Sequence, residues 1–150
     1  MTGIERRAFG QGAGLGALAF TVGGVEVMLT PRQAHAEGVP LRTLNADQAA
    51  TLDALGETLV PGAKAAGITQ FIDQQISIAP EQALLQARIL NVRPPFANFY
   101  RAALGAVDAA SNKTKGKKFA ALTPQEQHDC VALRRVNKIE GWQGRPGPFV

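Results

Sequence analysis

Apolar residues recur at helical spacing in several separate stretches of the chain. In NADQAATLDALGETLV, residues 45–60, Leu52, Leu55 and Leu59 fall on one helical face. Asn45 and Gln48 stand three positions apart, as the two members of a capping box do, and Pro61 with the following glycine ends the run. The pattern predicts a helix between these two boundaries.

Two further stretches continue the pattern. ITQFIDQQIS, residues 68–77, places Asp73 and Gln74 on the polar face and four apolar residues on the other: Ile68, Phe71, Ile72 and Ile76. In PEQALLQARIL, residues 80–90, Pro80 suits the first turn of a helix. The predicted buried side of this helix consists of Leu84, Leu85, Ile89 and Leu90.

The clearest period lies after Pro94 and Pro95, in PFANFYRAALGAVDAA. Its apolar stripe is Phe96, Phe99, Tyr100, Ala103, Leu104 and Val107. A last helix is predicted from Pro124, with Thr123 as its cap and Glu126 completing a second capping box. No stretch keeps the strand period for more than a few residues. The predicted fold class is therefore all-α: a compact bundle of four to five short helices with an irregular C-terminal tail, preceded by a signal segment.

The N-terminal stretch has the layout of an export signal. A positive start is followed by an apolar, glycine-rich middle and by the small residues Ala34 and Ala36, which suit cleavage before Glu37. This predicts a signal segment over 1–36 and a helical domain over 37–150. Two alternatives stay open, namely an uncut leader that tethers the protein and an apolar first helix of the mature fold.

Arg6, Arg7 and Phe9 in RRAF resemble part of the twin-arginine motif, although Glu5 stands where serine or threonine is usual. The weakly hydrophobic middle favours the twin-arginine route over general secretion. Because that route carries folded proteins, it suits a cargo that binds its cofactor or partner before export. The predicted location is the periplasm.

Composition describes an ordinary globular chain, with 45% apolar and 19% charged residues among 150. The net charge of +4 is too small to favour nucleic-acid binding, so a basic module that binds nucleic acid is a minor hypothesis. One basic cluster is dense: Lys113, Lys115, Lys117 and Lys118. It is interpreted as a solvated loop between helices or as a docking surface for an acidic partner.

Candidate chemistry is sparse. The single cysteine, Cys130, cannot form an intrachain disulfide and is predicted to be a buried apolar residue. Its neighbours His128 and Asp129 point in different directions on a helix, which argues against a metal site. Asp53 and Glu57 are predicted to lie on a solvated helix face. We therefore expect no catalytic, cofactor-binding or metal-binding residue in this chain.

The tail, GWQGRPGPFV, combines aromatic residues with glycine and proline, so it cannot be helical. It either folds back over the core or anchors in a pocket of a partner, where tryptophan and arginine are frequent. The predicted interface residues are Trp142, Arg145, Pro146 and Phe149 of the tail, with Phe96 and Tyr100 of the fourth helix.

The run LNADQAATLDALGETLVPGAKAAGITQFIDQQI, residues 44–76, resembles the small-subunit family of gluconate 2-dehydrogenase. FYRAALGAVDAAS, FAALTPQEQ and GWQGRPGPF agree with the family in the same order. None of these is a catalytic motif. The loop after Val60 is shorter than in the family. Members also usually continue beyond Val150, so part of the partner-binding surface is expected to be missing or supplied differently.

The resemblance implies a noncatalytic small subunit that stabilises a large FAD-containing flavoprotein of the glucose-methanol-choline type and carries its export signal. FAD would belong to that partner, which oxidises CH–OH groups of sugars, polyols or sugar acids. A multihaem cytochrome c often completes such complexes. Membrane contact would come only through an uncut leader or a partner. The alternative function is a stand-alone periplasmic helical domain that binds a ligand or acts as a small enzyme.

Overall fold

The computed structural model describes residues 16–135, most of which are helical. The helices are α1 (Pro31–Ala36), α2 (Ala46–Leu59), α3 (Ile68–Ile76), α4 (Gln86–Ile89), α5 (Phe96–Lys115) and α6 (Pro124–Arg135). Two strands, β1 (Leu18–Val22) and β2 (Val25–Leu29), pair as an antiparallel sheet. Short 3-10 turns occupy Pro80–Gln82 and Phe119–Ala121. The predominance of helix is confirmed, whereas the all-α prediction is wrong for residues 18–29.

The hairpin forms because its loop consists of two glycines. Val22 pairs with Val25, which leaves Gly23 and Gly24 as a two-residue connection with φ of +57° and +82°. Both angles are positive, as a type I′ turn requires, and this turn matches the twist of the flanking strands. The hairpin signal is present in TVGGVEV, but the apolar, glycine-rich composition predicted the middle of a leader or an apolar first helix instead.

Both predicted capping boxes are present. At the start of α2, the Gln48 amide donates to Asn45 Oδ1 at 2.8 Å and the Asn45 amide donates to Gln48 Oε1 at 3.0 Å. Before α6, the Thr123 amide donates to Glu126 Oε2 at 2.9 Å and the Glu126 amide to Thr123 Oγ1 at 3.3 Å. The starts of these two helices are therefore confirmed, because they depend on neighbours only three residues apart.

The predicted helix over 80–90 is wrong. A 3-10 turn, an extended piece at 83–85 and the short α4 replace it. The Leu84 amide donates to the side-chain oxygen of Gln75 at 2.5 Å instead of to a carbonyl one turn earlier. Leu85 is buried as predicted, but Leu84, Ile89 and Leu90 are exposed, and two alanines, Ala83 and Ala87, take their places inside.

Helix α5 continues through part of the basic cluster. Lys113 and Lys115 lie in its last turn, where positive charge interacts favourably with the helix dipole. Gly116 ends the helix in the left-handed region at φ +69°. Lys118 forms an ion pair with Asp47 at 2.6 Å, and this hydrogen bond raises the pKa of Lys118. The cluster is therefore a helix end and the turn after it, not one continuous loop.

The buried apolar residues form three clusters. The main core joins α2, α3, the 83–87 segment and α5 through Leu44, Leu52, Ile72, Ala83, Leu85, Ala87, Phe96 and Leu104. A second cluster at α6 contains Phe119, Leu122 and Cys130, which confirms the buried position predicted for the cysteine. The third joins the hairpin to α1 through Phe20, Ala34 and Val39.

Candidate functional site

The polar side of α3 is buried. The Asp73 carboxylate accepts hydrogen bonds from three successive backbone amides: those of Arg42 at 2.7 Å, Thr43 at 2.9 Å and Leu44 at 2.8 Å. These amides lie just before α2, so Asp73 holds the entrance of that helix against α3. The period of α3 correctly separated Asp73 from the apolar face, but it could not show that residues 42–44 cover the polar face.

Two neighbouring glutamines extend this buried polar side in both directions. Gln74 Nε2 donates to the carbonyl oxygen of Ala19 at 3.3 Å, and Gln75 Nε2 donates to Gln74 Oε1 at 2.7 Å. Gln75 Oε1 then accepts from the Leu84 amide. We call this chain of three hydrogen bonds the glutamine relay; it links β1 to the segment before α4. Sequence reasoning missed the relay because its partners lie up to 55 residues away.

A small cavity lies where β1, residues 39–42 and α3 meet. Its volume is about 10 Å³, and its lining includes Phe20, Val39 and Gln70. This is room for about one water molecule. The buried Gln70 Oε1 has no hydrogen-bond partner among the described residues, so a water molecule there would satisfy it. A sugar or a cofactor would not fit.

The carboxylates of α2 hold local structure. Asp53 Oδ1 accepts a hydrogen bond from Thr69 Oγ1 at 2.5 Å, which ties α2 to α3. Glu57 accepts the amides of Gly62 at 2.9 Å and Lys64 at 3.1 Å, and these bonds hold the pKa of Glu57 below its ordinary value. Each carboxylate of this pair therefore has its own structural partners.

The remaining titratable candidates do not converge. His128 and Asp129 are exposed on α6, whereas Cys130 is buried. Between residues 16 and 135, no three or more histidine, cysteine or acidic side chains form a group that could hold a metal ion. Tyr100 packs edge-on against Phe99, with ring centroids 5.4 Å apart. Burial raises the pKa of the Tyr100 phenol above its ordinary value, so this group stays protonated at neutral pH.

The predicted interface residues differ in how far this chain buries them. Phe96 lies buried in the main core of this chain, and its contact with a partner stays a prediction. Its periodic apolar neighbours bury it in this chain. Tyr100 is only partly buried, so part of its ring stays accessible. The predicted tail contacts, Trp142, Arg145, Pro146 and Phe149, lie outside the described residues.

The predicted export residues fall in two regions. Arg6, Arg7 and Phe9 lie outside the described residues. The predicted cleavage residues belong to α1, where Ala34 is completely buried and Ala36 is exposed at the last position of the helix. None of the helices between residues 16 and 135 has the length and apolarity that a membrane span requires.

Three exposed apolar side chains lie in or beside α4. Leu84 and Ile89 are 70% and 72% exposed, and Leu90 is also exposed. We call these three residues the 84–90 surface. Groups of exposed apolar side chains often mark binding sites for other proteins, whereas scattered ones are common on any surface. Three within seven residues give this segment the character of a contact region.

The amino-acid sequence of most of the helical part matches one known family. The family model for gluconate 2-dehydrogenase subunit 3 matches residues 46–147, which is more than half of the chain. The chain belongs to the gluconate 2-dehydrogenase subunit 3 family. A search of curated proteins and a search of solved structures each gave no match.

Membership in the subunit 3 family indicates that this chain is one subunit of a larger complex. Members are small subunits of a dehydrogenase complex, and membership implies a catalytic dehydrogenase subunit as partner. The family match begins in α2 and extends past α6, so the hairpin and α1 lie before it.

Proposed function

We propose that this subunit 3 protein is a noncatalytic small subunit that stabilises and helps export a periplasmic, FAD-dependent dehydrogenase of the glucose-methanol-choline type. The large subunit would hold FAD and oxidise a CH–OH group of a sugar, polyol or sugar acid. A multihaem cytochrome c would accept the electrons in complexes that contain one. The family match over residues 46–147 carries this proposal.

The described residues support binding as the role of this chain. The polar side of α3 is occupied by structural hydrogen bonds, and the described cavity has room for about one water molecule. The 84–90 surface offers apolar area whose burial against the large subunit would stabilise both proteins. The arginines at positions 6 and 7 support a role in export.

Co-expression with the large subunit tests the binding part of the proposal. A tag on the small subunit should recover the flavoprotein, and omitting the small subunit should reduce the amount of soluble, active flavoprotein. A small subunit that binds only the folded flavoprotein stabilises the flavoprotein by mass action. A large subunit that is stable, exported and fully active alone would contradict the proposal, as would failure of the two to co-purify.

A matched pair of variants tests the export part. Replacing Arg6 and Arg7 together by lysine keeps the positive charge but removes the paired arginines, so the large subunit should stay in the cytoplasm. Arg32→Lys, outside the motif and exposed on α1, should leave export unchanged. The measurement is the distribution of large-subunit activity between periplasm and cytoplasm. Unchanged export of the double variant would contradict a role for this motif.

A further inference from the structure

Residues 18–39 fold onto the rest of the chain as one layer, here called the N-terminal layer. Its cluster consists of Phe20 at 6% exposure, the completely buried Ala34, and Val39, with Leu18, Val27 and Leu29 packed against them. This cluster contains residues from both sides of the predicted cleavage site. Cutting after Ala36 and losing the leader would expose Val39.

Helix α3 is adapted to the presence of this layer. The side chain of Gln74 is buried and donates to the carbonyl oxygen of Ala19. At the start of α3, Gly67 has φ of +83°, and a Cβ at this position would overlap the carbonyl oxygen of Pro31. Glycine therefore lets the backbone of α1 approach α3 more closely than any other residue would allow.

The Ala36–Glu37 bond lies within a hydrogen-bonded helix end. Thr30 and Gln33 form a capping box at the start of α1. At its end, the Glu37 amide donates to Gln33 O at 2.9 Å and the Val39 amide donates to Ala34 O at 2.9 Å. A peptidase that reads small residues in an extended conformation would have to unwind α1 and withdraw Ala34 from its cluster.

We infer that the N-terminal layer is a permanent structural part of the folded subunit and that the Ala36–Glu37 bond stays intact in it. Removal of residues before Leu18 is compatible with this inference, since the layer begins there. If the protein is exported in the folded state, the N-terminal layer would cross the membrane already packed against the rest of the chain. The inference does not depend on the proposed function, because it concerns the packing of this chain alone.

Two variants of the same hairpin test the packing. Phe20 and Val25 lie on one face of the sheet, but Phe20 is buried and Val25 at the tip is 62% exposed. In the purified full chain, Phe20→Ala should lower the melting temperature by at least about 5 °C, whereas Val25→Ala should change it by about 2 °C or less. Equal small shifts would overturn the inference. If Phe20→Ala does not fold while Val25→Ala does, the inference is also supported.

The chain terminus provides the second readout. A chain with a C-terminal tag is purified from the producing cells, its intact mass and first residue are determined, and its melting temperature is measured. We expect every folded species to contain residues 18–36. Any folded species that begins at Glu37 would overturn the inference, whichever compartment it comes from and whatever its melting temperature. Absence of a bound flavoprotein would contradict only the proposed function.

Discussion

Single residues in this protein connect segments that are distant in sequence, and Asp73 is the clearest case. Its two carboxylate oxygens accept three backbone amides from the segment before α2. Buried backbone amides need partners, and a loop has no helix or strand to supply them. Asp73 therefore supplies the hydrogen-bond acceptors that residues 42–44 would otherwise find in a neighbouring strand.

Replacing Asp73 by asparagine should destabilise the protein by about 1–3 kcal/mol. The asparagine amide group would point a donor at one of the three amides that the carboxylate now accepts, which leaves that amide without an acceptor. Asp129→Asn is the matched control, because Asp129 is exposed and accepts a hydrogen bond from Gln125 within one helix turn. Chemical denaturation measures both. Equal free energies of unfolding for the two variants would contradict the role given to Asp73.

At the scale of elements, prediction succeeded where the determining contacts were local. The starts of α2 and α6 followed from capping residues three positions apart. The prediction of a helix over 80–90 failed because the Leu84 amide donates its hydrogen bond to the side chain of Gln75, nine residues away, and not to a backbone carbonyl one turn earlier. The hairpin was predictable in principle from its paired glycines, but a leader and a hairpin share apolar, glycine-rich composition.

The capping box of α6 should make the stability of the protein depend on acid pH. Hydrogen bonding to the Thr123 amide, with help from Lys115 and Lys117, holds the pKa of Glu126 below its ordinary value of 4.5. Its contribution is therefore complete above pH 4.5 and is lost as the pH falls through the lower folded-state pKa. Stability should fall in this acid range.

Glu126→Gln tests this dependence, because glutamine can still accept from the Thr123 amide but does not titrate. Melting temperatures between about pH 6 and pH 3 should fall less steeply for this variant than for the unchanged chain. Glu81→Gln, an exposed glutamate in the 80–82 turn, should keep the steeper fall. Identical pH profiles for all three proteins would show that the capping carboxylate contributes no pH dependence.

For the whole molecule, sequence identified the helical class and the family, but not which faces the chain covers itself. Phe96, on the apolar stripe of a helix, and Trp142, in the irregular tail, were both predicted to contact a partner. Packing of α5 against α2 and the 83–87 segment places Phe96 inside, and that depends on tertiary contacts that no local period reports. The hairpin likewise became part of the fold through its contacts with α1 and α3.

These two aromatic residues should behave differently when replaced. Trp142→Ala should weaken association with the large subunit more than it lowers the melting temperature of the isolated small subunit. Phe96→Ala, which empties a core position, should lower the melting temperature strongly, by at least about 5 °C. Binding titrations and thermal unfolding separate the two effects. A large melting shift for Trp142→Ala with unchanged affinity would show instead that the tail folds back on its own core.

The glutamine relay has a direction. Its first donor is the Leu84 amide and its final acceptor is the Ala19 carbonyl, so each glutamine must accept at its oxygen and donate from its nitrogen. Glutamate can only accept when ionised, lysine can only donate, and asparagine is one methylene too short for the same reach. The two positions therefore admit little besides glutamine. If relatives also keep glutamine at both positions, the fixed pattern of donors and acceptors explains that conservation, and it is not by itself a sign of catalysis.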